Sequence, residues 1–221
     1  MNQKSVIAFD FDGTLADTTR LVHETIINSC NEYGHMEINE DNLESHFGPT
    51  ESGIIRSIVG EKLFPEAWTF FLEEYIRIQP DTIKKIPGMD ELLEELSKRN
   101  DILLVLVTGR SKVTTDISLA YLGYERYFAK VYSGSEEGIN KDKNIENLIH
   151  DYGVEKKDII YVGDTVADIH TMHEKAGIDL LSVTYCQPDE AVKLEMERLN
   201  PGNLCPDVTN LRKRLFELLK Q

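Results

Sequence analysis

The stretch VIAFDFDGTLADTT, residues 6–19, runs a short apolar segment into two carboxylates, Asp10 and Asp12, followed by Gly13 and Thr14 and, a little later, Asp17. An apolar run of this length, bounded by turn-forming polar residues, suits a strand buried on both faces. Ending that strand on carboxylates places charge at the rim of a core, where it needs a partner. Two residues apart in extended backbone, the two side chains point to one side.

Working outward, similar runs recur at ILLVLV (102–107), AKVY (129–132, weaker), IIYV (159–162) and LLSV (180–183). Helix-like stretches lie between them: 88–99, with Met89, Leu92, Leu93 and Leu96 on one face, then 111–122, 142–152 and 167–176. This alternation predicts an α/β fold with a doubly wound, Rossmann-like parallel sheet. One interval breaks it. From Asp17 to about Lys84 no strand run occurs, while Val22, Ile26, Cys30 and Tyr33 form one helical stripe and Trp68, Phe71, Leu72 and Tyr75 another. We therefore expect a core of residues 1–16 plus 84–221 and a small α-helical cap domain over 17–83, punctuated by Gly48 and Pro49 and closed by Pro80 and Pro87. The stripes read as the core of a small bundle.

Bulk properties narrow the function. With 221 residues, 41% hydrophobic and 29% charged, the chain suits one globular core with a lid. No apolar run approaches the roughly 20 residues that span a bilayer, and no basic stretch followed by an apolar one opens the chain, so a soluble, cytoplasmic protein is expected. Cys30, Cys186 and Cys205 are odd in number, far apart and outside metal-ligand spacing, which suits reduced thiols. A net charge of −15 disfavours nucleic acid and anionic membranes as partners. An anionic substrate would need local cations.

Ligands of open parallel sheets bind beyond the carboxyl ends of the strands. Four polar clusters fall there: Asp10 with Asp12; Thr108, Gly109 and Arg110 in VTGRS; Lys141; and Asp164 with Asp168 in VGDTVAD. Each alone suits ordinary helix capping. Together they converge on one crevice, where carboxylates would repel one another unless a hard divalent cation were present. Oxygen donors favour magnesium, whereas zinc would recruit histidine or cysteine. His170 and His173 read as an ordinary helix-surface pair.

In this order, FDFDGTLADTT, VTGRS, a downstream lysine and VGDTVAD, with helices inserted after the first, resemble the haloacid dehalogenase superfamily, specifically its phosphatases with an α-helical cap. The resemblance implies Asp10 as a nucleophile forming an aspartyl-phosphate and Asp12 as general acid and base. It implies Gly13 and Thr14 as the turn that meets the phosphate, and Thr108, Gly109 and Arg110 as phosphate donors through hydroxyl and backbone N–H groups. It implies Mg2+ held by Asp164 beside Asp10 and the main-chain carbonyl of Asp12, with Asp168 as the second acidic position. For the lysine, GINKDKNIENLI offers Lys141, with Lys143 as alternative. HFGPTESGIIRS (46–57) resembles the cap turn of the phosphoglycolate phosphatase group, which brings His46, Glu51 and Arg56 into consideration for the leaving group.

The implied function is a magnesium-dependent phosphatase acting on a small phosphorylated metabolite, as monomer or homodimer. A β-phosphoglucomutase-like sugar phosphomutase shares the whole constellation and is the rival. A dehalogenase has no use for Asp12, and a dinucleotide-binding oxidoreductase wants G-x-G-x-x-G where DFDGT stands. A non-catalytic binding protein on the same scaffold would leave intact catalytic positions without purpose.

Overall fold

The computed structural model of the chain describes residues 5–34, 36–136, 138 and 140–219, so the outermost ends of the expected core, residues 1–4, 220 and 221, lie outside the described residues. Its centre is a six-stranded sheet in the order β5-β4-β1-β6-β7-β8, every neighbouring pair parallel. The strands are β1 (Ser5–Phe9), β4 (Ile102–Val107), β5 (Lys130–Tyr132), β6 (Ile159–Gly163), β7 (Asp179–Val183) and β8 (Leu204–Cys205). β1 occupies the middle, with Val6 opposite Leu103 on one side and Ile159 on the other.

Both faces of β1 are covered. Ile7 and Phe9 join one apolar cluster with Leu104, Leu106 and Leu181, and Val6 and Ala8 join a second with Val105, Val107 and Tyr161. This is the two-residue period of a strand read against two packed layers, and it explains the unbroken apolar run of the sequence. Helices α5 (Met89–Ser97), α6 (Lys112–Leu122), α7 (Lys141–Tyr152), α9 (Glu190–Leu199) and α10 (Val208–Leu218) complete the core. The expected helix over 167–176 is instead a short turn, α8 (Val166–Asp168), running into a π-helical stretch, Ile169–Lys175.

Between β1 and β4 lie α1 (Thr19–Tyr33), α2 (Glu40–Leu43), α3 (Glu51–Val59) and α4 (Phe64–Thr82). α4 passes through Pro80 and runs on to Thr82. A proline removes the hydrogen bond to the carbonyl four residues back, and that carbonyl belongs to Ile76, an exposed residue open to solvent. The chain enters and leaves the insert side by side: β2 (Ala16–Asp17) pairs antiparallel with β3 (Lys84–Lys85), Asp17 facing Lys84. The insert also rests on α6, where the Tyr75 hydroxyl and Ser118 Oγ are 2.7 Å apart. Among the described residues no helix is long and apolar enough to cross a membrane.

Candidate active site

The strand ends place the carboxylates. Asp10 follows the last residue of β1, its N–H donating to the Val162 carbonyl at 2.9 Å, and Asp164 follows the last residue of the neighbouring β6. Asp168 closes α8, whose start is a reciprocal cap: Thr165 Oγ accepts from Asp168 N–H at 3.0 Å and donates to Asp168 Oδ2 at 2.7 Å. One oxygen each from Asp10, Asp164 and Asp168 lies within 4.8 Å of the others.

The backbone is closely packed around this group. Gly13 has φ +66°, and a Cβ there would fall 2.0 Å from Asp164 Oδ2; at Gly163 it would fall 2.7 Å from Asp168 Oδ2. Only glycine fits both the left-handed turn and the close approach at residue 13.

Of the two candidate lysines, Lys141 enters the site. Its Nζ donates to Asp10 Oδ2 at 2.6 Å and Asp168 Oδ1 at 2.7 Å, while Lys143 is exposed. Asn140, in the left-handed region at φ 51°, sets the start of α7 so that its first residue turns inward. Burial draws the Lys141 ammonium down, but the Asp10 and Asp168 carboxylates outweigh it and hold its pKa well above the ordinary lysine value. Burial pushes Asp10 up to about 6 against the pull of Lys141, with Asp168 adding to the rise. Burial and the facing Asp10 and Asp168 also hold Asp164 well above the carboxylate range. One ammonium among three carboxylates leaves an excess of negative charge in a partly dry site.

Asp12 stands apart from that group. Its Oδ1 accepts from Thr18 Oγ and, at 3.3 Å, from the Arg110 guanidinium. Thr108 is fully buried at the end of β4, its Oγ accepting from the Arg110 N–H at 3.3 Å, and Thr14 is equally buried, with its carbonyl accepting from the Tyr185 hydroxyl. A cavity of about 390 Å³ is lined by Asp10, Asp12, Gly109, Lys141 and Asp168. Arg56 is not among its lining residues. That side chain pairs with Glu61 at 2.7 Å and Glu136 at 3.1 Å and sits 3.7 Å over the Phe64 ring.

Sequence reasoning missed four contributors: Thr18, Thr165, Tyr161 and Tyr185. The Thr165-to-Asp168 spacing is a capping-box signature and was readable. Tyr161, whose hydroxyl donates to Asp168 Oδ1 at 3.3 Å, is indistinguishable in sequence from any strand aromatic.

A sequence model of the haloacid dehalogenase-like hydrolases matches residues 7–183. Among curated proteins, the chain is 25% identical over 207 residues to the pyrophosphatase PpaX of Oceanobacillus iheyensis, covering 93% of this chain and 94% of that one. It is 27% identical over 170 residues to a phosphoglycolate phosphatase of Aquifex aeolicus, covering 74% and 78%. Among solved structures, a haloacid dehalogenase-like family hydrolase from Streptococcus pneumoniae shares the fold at a TM-score of 0.71 and 22% identity, covering 98% of this chain and all of that one.

Proposed function

Because the chain belongs to the haloacid dehalogenase-like hydrolases, we propose that it hydrolyses a small phosphomonoester through an aspartyl-phosphate formed on Asp10. The observation that carries this reading is the junction of three carboxylates with one buried ammonium at the tips of adjacent parallel strands. The donor set, all oxygen, fits Mg2+: Asp10, Asp164 and Asp168 would hold it, with the Asp12 carbonyl, whose following residue is pressed against Asp164. Bound there, Mg2+ would offset the repulsion between these carboxylates and a phosphate dianion.

The protein's own groups supply the rest. An oxygen of Asp10 attacks phosphorus, and the bond from phosphorus to the ester oxygen breaks. Asp12 gives its proton to the departing oxygen, then takes one from the water that attacks phosphorus and displaces Asp10. Arg110 and Thr18 fix the Asp12 carboxylate for both transfers. Lys141 holds Asp10 in one rotamer and balances part of its charge. The Gly109 N–H and the Thr108 hydroxyl are the proposed donors to the phosphoryl oxygens, the N–H groups of Gly13, Thr14 and Arg110 being already given to the Ala16 and Phe11 carbonyls and to Thr108 Oγ. Residues 17–83 act as a cap domain on a core of 1–16 and 84–221, hinged where β2 and β3 pair.

Phosphate release from a panel of phosphorylated metabolites, with magnesium present and then chelated, tests this function. Release that depends on magnesium supports it; a well-folded protein releasing no phosphate from any ester, including an activated aryl phosphate, refutes it.

A further inference from the structure

A second cavity, of about 360 Å³, opens from the first at Asp12, Gly109 and Thr165 and extends beneath the insert. It begins at the proposed proton donor, so it is where the group bonded to the ester oxygen must lie while the phosphoryl group faces Asp10. Its outer wall is apolar: Val22 and Ile26 of α1, Phe47 and Pro49 from the connection to α3, and Ile54 of α3.

The cations on its wall already face carboxylates, although Arg110 Nε itself makes no hydrogen bond. Arg110, 3% exposed, is 3.3 Å from Asp12 and 3.5 Å from Glu51, and stacks on the Phe11 ring at 4.6 Å. His23 Nδ1 is 2.6 Å from a Glu40 oxygen. Glu51 is itself fixed, accepting from the Ser111 N–H at 2.8 Å and Thr114 Oγ at 2.6 Å. No lysine lines this chamber among the described residues. With Arg110 balanced by Glu51, and Asp12 carrying the proton it gives to the leaving group, the wall offers no net positive charge, in a chain whose net charge is −15. A second anion on the substrate would lose its water here and gain no free cation.

Phe47 sharpens the point. It stays 44% exposed at the chamber wall, its ring 5.8 Å from that of His23, an aromatic face left open to cover an apolar group.

On the phosphatase reading above, we infer that the leaving group is an uncharged, predominantly apolar alcohol of several carbons. The chamber disfavours a leaving group bearing a carboxylate or a second phosphate. Such leaving groups are what the names of the two curated relatives imply for those proteins.

Binding of non-hydrolysable phosphonates tests the inference without requiring turnover. Calorimetry with magnesium present would compare hexylphosphonate with its ω-carboxy counterpart of equal length, on the full chain and on the Val22→Lys variant. The expected result is hexylphosphonate binding roughly tenfold or more tighter to the unaltered protein, a preference narrowed or reversed by Val22→Lys, which adds a free cation to the wall. Equal binding, tighter binding of the carboxylate, or no binding of either overturns the inference. The matching esters are assayed in parallel. Failure to release phosphate with the binding preference intact would sink the phosphatase reading and leave the chamber's preference standing.

Discussion

Asp10 sits between opposing influences: burial raises its pKa to about 6, while Lys141 at 2.6 Å draws it down. An amide keeps the shape and loses the negative charge that, on the proposed mechanism, attacks phosphorus, so Asp10→Asn is expected to cut phosphate release roughly a thousandfold or more while the fold persists. Turnover assays beside circular dichroism check this, and near wild-type turnover in a folded variant contradicts it. Gly13 has a different kind of necessity. In Gly13→Ala the new methyl carbon would meet Asp164 Oδ2 at 2.0 Å, on a backbone at φ +66° that costs an L-residue about 1 kcal/mol. Asp164 must move, so the magnesium concentration needed for half-maximal activity should rise about tenfold or more. An unchanged metal titration would show that Asp164 is no ligand. At this scale the sequence named Asp10, Asp12, Asp164 and Asp168 because charge at the tip of a buried strand or its following turn is conspicuous. It put Lys141 first but kept Lys143 as the alternative, since the choice depends on the left-handed Asn140 that no pattern announces.

Among the elements, α3 couples the insert to the core most directly. Glu51 in its first turn is 4% exposed and accepts hydrogen bonds from Ser111 and Thr114 at the start of α6, and the Arg110 beside it reaches Asp12. Glu51→Gln leaves one oxygen where two each accept a hydrogen bond, sets an NH2 donor against the other partner, and removes the charge that balances a buried guanidinium, a loss of about 1–3 kcal/mol. We expect a lower melting temperature, faster proteolytic nicking of residues 17–83, and a rise in KM that exceeds the fall in kcat. A variant as protease-resistant as the parent would show that this contact does not hold the insert. The long strands were legible because burial on both faces leaves an unbroken apolar run. β2, β3 and β8 were not, because two-residue strands carry no periodicity. Nor can a seven-residue π-helical stretch be told from an α-helix by apolar spacing. Val22 and Ile26 read correctly as part of an apolar stripe. That they line a chamber was invisible, because lining and packing faces of a helix have the same pattern.

Across the whole molecule, the net charge of −15 and the carboxylate junction together tie stability to pH and metal. Burial, then Asp10 and Asp168, raise the Asp164 pKa above its unfolded value, and burial raises Asp10 likewise. A carboxyl with a raised folded pKa binds its proton more tightly in the folded state. Its stabilising contribution is therefore complete below the unfolded value, about pH 4, and is lost as pH rises through the folded value, about 6 for Asp10. The metal-free protein should thus lose stability from about pH 4 to 7 at this site. Surface carboxylates paired with arginine, such as Glu74 and Glu95, are held below their ordinary range and act in the opposite sense. They are common to the parent and an Asp164→Asn variant and cancel in the difference between the two. With metal chelated, Asp164→Asn should gain stability relative to the parent as pH rises above the ordinary carboxylate range, because the parent's Asp164 must then ionise in a buried site beside Asp10 and Asp168. Millimolar magnesium should reverse that ranking at neutral pH, because a cation bound only by the folded parent stabilises it by mass action while the variant binds it weakly. Melting curves of both proteins at two pH values, with and without magnesium, measure all the terms. A stability difference that is flat with pH, or equal magnesium stabilisation of parent and variant, would remove Asp164 from the metal site and with it the electrostatic reason for a cation there.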